Sequence, residues 1–444
     1  MYDVIVIGAG PAGYIAALRA GQLGMKTGIV ERDRIGGRAL HNGVLPSKGM
    51  LESARMFART KDAARMGIEG VDPSALRFNP KAALHHAETS AARMTRDIEH
   101  RLRDTGVDVL KGAAEITSEK SVSVAGRLLE SRYIILATGS DTRELPFDMP
   151  GEHVATAWTA LSMVDIPAHV VVLGGSPIAL EYAQLFSLLG CDVTIATSQP
   201  RLLPMLGPRL ENAVSQRLQS AGVTITTNAN SYRYENGRVM IDNAGAQCEL
   251  LVNCLAEHPV LPSMNIEMTM NGPFPRVDEY LRTSVESVYA VGNVNGLVPS
   301  ARSASAQGLH AVNHIAGVSE PWHRGAEPIV VYGEPELAQI GRTEESLEDA
   351  GIRFRSVEAP LSYNGKALLS GAEDGFVRIL FEPEYGEVLG VQIFAENASD
   401  LIGEAGALMQ FEGTVYDVAR TAHAHPTISE VFMDLGHMAG EQLR

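Results

Sequence analysis

The 444-residue sequence is poor in three things, and each shortage excludes something. Cysteine is the first, with Cys191, Cys248 and Cys254 the only three. A chain of this length buries a large core and needs no disulfide scaffold, and five residues between Cys248 and Cys254 match no common zinc spacing. The plain reading is three buried thiols. Positive charge is the second shortage. Lys plus Arg is 37 against 53 Asp plus Glu, a net −16. A surface this acidic opposes nucleic acid and anionic membrane, which recruit basic patches. The third is a long apolar run, and without one no membrane-spanning helix is expected. The sequence opens on a strand pattern with no basic leader before it, which leads us to expect a cytoplasmic protein.

What is present is a repeat. Residues 4–31 and 170–197 align without a gap at an offset of 166. Val4-Ile5-Val6-Ile7-Gly8-Ala9-Gly10-Pro11-Ala12-Gly13 matches Val170-Val171-Val172-Leu173-Gly174-Gly175-Ser176-Pro177-Ile178-Ala179. Each is a short, β-branched run followed by a glycine turn, an Ala/Leu-rich helix and a second strand, the dinucleotide-binding unit. In the first copy Gly8 makes the tight turn, Gly10 lets backbone approach a pyrophosphate, and Gly13 packs helix against strand. Pro11 and Ala12 open a helix whose N-terminus faces the phosphate, and Glu31 ends the second strand where a carboxylate accepts ribose hydroxyls. The second copy is eroded. Ser176 stands at the Gly10 position, Ala179 at Gly13 and Thr197 at Glu31. Two outcomes stay open there: a 2′-phosphate met by Ser198 and Arg201, or a fold kept after its ligand was lost.

A long polar helix is expected over Pro80–Thr105 and strands over residues 107–140, with Pro146, Pro150 and Gly151 marking a crossing to the second unit. From Pro321 the pattern turns to strands and then helices. We therefore expect an α/β protein with two doubly wound Rossmann-like nucleotide-binding domains and a C-terminal α+β domain. The boundaries are 1–148 for the first nucleotide domain, 149–272 for the second, 273–320 for a return segment of the first, and 321–444 for an interface domain.

This order resembles the pyridine nucleotide–disulfide oxidoreductases, above all their dihydrolipoamide dehydrogenase branch, over essentially the whole chain. Five segments carry the likeness: the Gly8–Gly13 turn with Glu31, Gly36-Gly37 through Pro46-Ser47-Lys48, Ala137-Thr138-Gly139, Tyr289-Ala290-Val291-Gly292-Asn293, and His423-Ala424-His425-Pro426-Thr427-Ile428-Ser429-Glu430. The resemblance implies FAD in the first unit, with Gly37, Ala137, Thr138, Gly139 and Asn293 among its contacts, and NAD(P)H in the second, whose occupancy the eroded motif leaves open. It implies a homodimer in which His425 and Glu430 serve the partner's site as a thiol base and its orienting carboxylate. It also implies a Lys48–Glu181 pair beside the flavin. An interface histidine and a purely structural ion pair are the alternatives.

The likeness breaks at the chemistry. The family's redox segment reads G-G-x-C-x-x-x-x-C-x-P-S-K, and here Ala39 and Val44 occupy the cysteine positions. Neither can form a disulfide or a thiolate. His41 is either a proton donor near the flavin or a polar loop residue. Pro177 stands where the family carries a mobile aromatic. Ala256-Glu257-His258-Pro259 replaces G-R-x-P and puts an acid where a cation is usual. Asn293 replaces an aspartate that bonds the ribityl chain, and can still accept one bond. His85, His86, His310, His314, His323 and His437 form no metal-like pattern. Three readings follow: a flavin oxidoreductase without a disulfide, fed by NAD(P)H, a small thiol or a lipoyl-bearing protein; a non-catalytic FAD-bound docking subunit; or an active dihydrolipoamide dehydrogenase working by another route.

Overall fold

The computed structural model describes residues 1–162, 165–318, 320–322 and 327–443. His323 lies outside them. The architecture is mixed α/β, with two large sheets built around parallel strands, one five-stranded antiparallel sheet, and three small antiparallel sheets of two or three strands. Strand β1 (Tyr2–Ile7) buries Val4, Ile5 and Val6 completely. A central parallel strand is covered on both faces, which is why this run is unbroken by polar residues. Helix α1 (Pro11–Gln22) returns the chain to β2 (Thr27–Glu31), which pairs in parallel with β1. Two helices follow, α2 (Gly37–His41) and α3 (Val44–Lys61). The expected polar helix is α4 (Pro80–Asp104), with Asn79 accepting from the Ala82 amide at its start. Strands β3 (Asp108–Lys111), β4 (Ala114–Ser118), β5 (Ser121–Val124) and β6 (Arg127–Leu136) extend the sheet. Strand β6 pairs in parallel with β1, and segment Val288–Ala290 returns to pair with β6.

The second unit is linked by β7 (Ser140–Thr142), which pairs antiparallel with segment Glu257–Pro259. It contains β8 (Val154–Thr156), β9 (His169–Leu173), α5 (Pro177–Leu188), β10 (Asp192–Ala196), α6 (Pro208–Ser220) and β11 (Thr224–Thr226). With Leu250–Asn253 between β9 and β8, this sheet is parallel throughout. Helices α1 and α5 are twelve residues each and start 166 residues apart, so the sequence repeat is a structural one.

The third sheet joins segments Ile329–Val331, Glu336–Gly341, Val388–Ala395, Phe376–Phe381 and Arg355–Pro360 in antiparallel order. Helices Ala398–Gln410, Val415–Arg420 and Val431–Gln442 supply Ile402, Val415 and Leu435 to its core. Among the described residues, no helix is long and apolar enough to cross a membrane.

Candidate functional site

The first unit's turns converge at one end of β1. Gly8 has φ +99°, and a Cβ there would lie 2.5 Å from the Ala137 carbonyl oxygen. A Cβ on Gly13 would lie 1.8 Å from the Gly8 carbonyl oxygen, and one on Gly37 2.8 Å from the Gly10 Cα. Close backbone approach thus explains these glycines. Gly10 and Gly139 differ, for nothing lies within 4 Å of a Cβ at either. Thr138 Oγ1 is buried with no partner. Open space over two glycines, beside an unsatisfied buried hydroxyl and the N-terminus of α1, is a cradle that fits a phosphate-bearing ligand. Glu31 closes its far side, with one carboxylate oxygen accepting from the Ala9 amide at 2.7 Å and the other from the Asp33 amide at 2.8 Å. Pro11 and Ala12 lie on the first turn of α1, and a Cβ on Gly292 would lie 3.0 Å from the Ala12 Cβ. That brings the Asn293 turn to the same place.

Lys48 and Glu181 meet as expected, Nζ to Oε2 at 2.6 Å. The Glu181 side chain is only 6% exposed, and its other oxygen accepts from the Tyr332 amide at 3.1 Å. The Lys48 ammonium also lies 5.0 Å from the Tyr332 ring centre. His425 and Glu430 form their own pair, Nδ1 to Oε2 at 2.9 Å, on the loop between helices Val415–Arg420 and Val431–Gln442. The His425 side chain is 79% exposed. Among the described residues, no hydrogen bond links this pair to Lys48 or Glu181 within one chain.

Several side chains that the sequence reading did not assign tie this region together. Arg38 donates to the Ser140 carbonyl and to Asp141, both at 2.6 Å, and its guanidinium lies 5.6 Å from the Trp158 ring centre. Burial works against ionisation of Asp141, but the hydrogen bond and charge of Arg38 outweigh it and hold the carboxyl below its ordinary range. Trp158 packs on the loop before Val44, where a Cβ on Gly43 would meet its ring at 2.6 Å. Only two tryptophans occur in the chain, which was the one available signal. Glu257 accepts from the Ser140 hydroxyl and, at 3.3 Å, from Asn293 Nδ2. His41 is tied down, with Nε2 2.8 Å from the Ile35 carbonyl oxygen. That position suits a loop clasp rather than a free proton donor.

The second unit keeps the turn but not its exposed chemistry. Thr197, at the position of Glu31, is buried against Gly175, and its hydroxyl accepts from the Gln199 amide. Arg201, one of the two residues considered for a 2′-phosphate, is held by Glu345 through two bonds of 2.9 Å and lies 3.1 Å from Glu211. Glu345 is 144 residues away, so the sequence pattern could not show that this guanidinium already has its anions.

Ala39 lies within α2 and Val44 opens α3, and all three cysteines are free thiols elsewhere. Burial pushes Cys191 and Cys248 up to about 12 and Cys254 higher still. Among the described residues, no group of three or more His, Cys, Asp or Glu is placed to hold a metal ion.

Comparison with known proteins agrees with this architecture. Residues 2–308 match the pyridine nucleotide-disulphide oxidoreductase family, and residues 327–435 match its dimerisation domain. The dihydrolipoyl dehydrogenase of Chlorobaculum parvum is 32% identical, covering 99% of this chain and 97% of its own. That of Haloferax volcanii is 33% identical, covering 98% and 96%. In three dimensions the chain is similar to LpdA from Mycobacterium tuberculosis, with a TM-score of 0.90, 26% identity and coverage of 98% and 99%. The fold is also that of the flavoprotein disulfide reductase RclA from Escherichia coli, at a TM-score of 0.86 and 21% identity over 98% of this chain and all of that one.

Proposed function

The chain belongs to the pyridine nucleotide-disulphide oxidoreductase family, and we propose that it moves electrons directly between a substrate and FAD, with no disulfide relay. The observation that carries this reading is a kept cradle beside an emptied relay. Gly10, Gly139 and the unpartnered Thr138 hydroxyl fit a dinucleotide, while Ala39 and Val44 leave no thiol between Gly36 and Lys48. FAD, when bound, supplies a two-electron acceptor.

The chain's own residues do the rest. The first turn of α1 and Thr138 hold the pyrophosphate region, and Glu31 stands at the ribose end. The Lys48 ammonium, paired with Glu181 at 2.6 Å, offsets negative charge that develops on reduction. His425, oriented by Glu430, takes the proton from a thiol presented at the neighbouring copy's site. A dithiol of the lipoyl type would close to its disulfide, giving up two electrons and two protons. Sequestration of Arg201 and burial of Thr197 favour this donor over NAD(P)H. A homodimer supplies the geometry that the dyad requires, since His425 is exposed on one chain.

The second reading, a FAD-bound docking subunit without turnover, draws on the same losses. An anaerobic titration separates the two. Addition of dihydrolipoamide, and then of NADH and NADPH, is expected to bleach the flavin's visible absorbance at the dithiol step, more slowly in His425→Ala. Reduction with dithionite in the absence of any added thiol should give no thiolate-to-flavin charge-transfer band, because the Gly36–Lys48 segment holds no cysteine. Failure of all three donors to reduce the flavin would leave only the docking reading.

A further inference from the structure

Glu257 is out of place for a conventional reading of its strand. It lies in the segment that returns from the second unit and pairs with β7, opposite Thr142. Its Oε2 is a double acceptor, taking the Ser140 hydroxyl and Asn293 Nδ2. These donors belong to two separate turns of the cradle. Ser140 follows Ala137-Thr138-Gly139 directly, and Asn293 follows Gly292, where an added Cβ would lie 3.0 Å from the Ala12 Cβ on the first turn of α1. Ser140 is also bonded through its carbonyl to Arg38, so one residue links Glu257 to the segment that carries Ala39 and Val44.

An amide has one acceptor and one donor end. With Nδ2 committed to a carboxylate, the Asn293 Oδ1 must face the other way. We propose that Glu257 is a cofactor-positioning residue: it locks the Asn293 amide so that its carbonyl oxygen is offered to a hydroxyl of the FAD ribityl chain. It also pins the Ser140 turn against the Asn293 turn. The two residues then form a matched pair. An aspartate at 293 would place a second carboxylate against Glu257, where like charges at hydrogen-bond distance repel. An asparagine there is the partner that an acid at 257 requires.

This inference rests on the reading of the first unit as a FAD site, and a double-mutant cycle on the full chain tests the two separately. FAD affinity is measured by titrating cofactor-stripped protein with FAD and following quenching of flavin fluorescence, with thermal melts of the stripped variants as the folding control. Glu257→Ala is expected to weaken FAD about tenfold, the scale of one hydrogen bond to a charged group. Asn293→Asp should weaken it by about as much or more, while Glu257→Gln/Asn293→Asp should recover most of that loss, because glutamine can donate to the new carboxylate. Effects in the double variant that equal the sum of those of Glu257→Gln and Asn293→Asp measured singly, or a Glu257→Ala affinity equal to wild type, overturn the positioning role while leaving the FAD site intact. If the wild-type chain takes up no FAD, the functional reading falls and this inference falls with it.

Discussion

A thiol takes part in electron transfer as its thiolate, and the three thiols here are held in the other state. Burial is the leading cause at each, pushing Cys191 and Cys248 from 9.0 up to about 12. The folded chain therefore keeps these protons at a pH where the unfolded chain releases them. Stability drawn from burying neutral thiols is complete below about pH 9 and is lost as the pH rises toward 12. Wild type should lose stability across that window more steeply than a variant with all three cysteines changed to alanine. Urea melts at a series of pH values give the two slopes, and equal slopes would contradict the assignment. Residues also mark the limit of sequence reading. The Lys48–Glu181 and His425–Glu430 pairs were legible because the family pattern names both members. The Glu257–Asn293 contact was not. Its partners are 36 residues apart and belong to different units, and the sequence showed each only as a departure.

At the scale of elements, one strand–turn–helix unit was legible twice, since its glycines answer to backbone geometry that the sequence must satisfy. The register of α1 and α5 repeats without a slip. What the pattern could not show is the difference between glycines crowded by their own backbone and glycines facing open space. The structure separates them. At Gly13 an added methyl would lie 1.8 Å from a backbone oxygen of Gly8 that cannot move without opening the turn. Gly13→Ala should destabilise the fold by about 3 kcal/mol, the upper range for overpacking. At Gly10 an added methyl meets no protein atom within 4 Å. Gly10→Ala should change stability by no more than about 0.5 kcal/mol, as for an uncrowded site, yet weaken FAD binding by crowding the pyrophosphate. Denaturant melts of the cofactor-free proteins, set beside FAD titrations, read the two effects independently. A Gly10→Ala variant with unchanged affinity would show that nothing occupies the space above that residue.

Among the described residues, several large apolar side chains are left exposed by the single chain, and one group of them is tied to the loop of His425. Tyr363, Leu368 and Leu369 are 88%, 54% and 69% exposed, on the short helical turns Leu361–Tyr363 and Gly365–Ser370. Asn364 donates from Nδ2 to the Thr427 carbonyl at 3.0 Å, which fixes this apolar ridge to the loop carrying His425. Exposed leucines and a tyrosine beside an exposed histidine are costly unless something covers them, and residues 327–435 match a dimerisation domain. A second copy seated on this ridge would bury the apolar side chains and carry His425 to the neighbouring site in one step. Wild type should therefore sediment at twice the mass of one chain. Leu368→Glu/Leu369→Glu should sediment at the mass of one chain, because two carboxylates cannot be buried unpaired. The cradle, Lys48 and Glu181 all lie within a single chain, so this variant should still take up FAD. Its flavin should be reduced by dihydrolipoamide at the slow rate expected of His425→Ala, since the base has lost the site it serves. A single-chain variant reduced as fast as wild type would place the proton acceptor within the chain and remove His425 from the reaction.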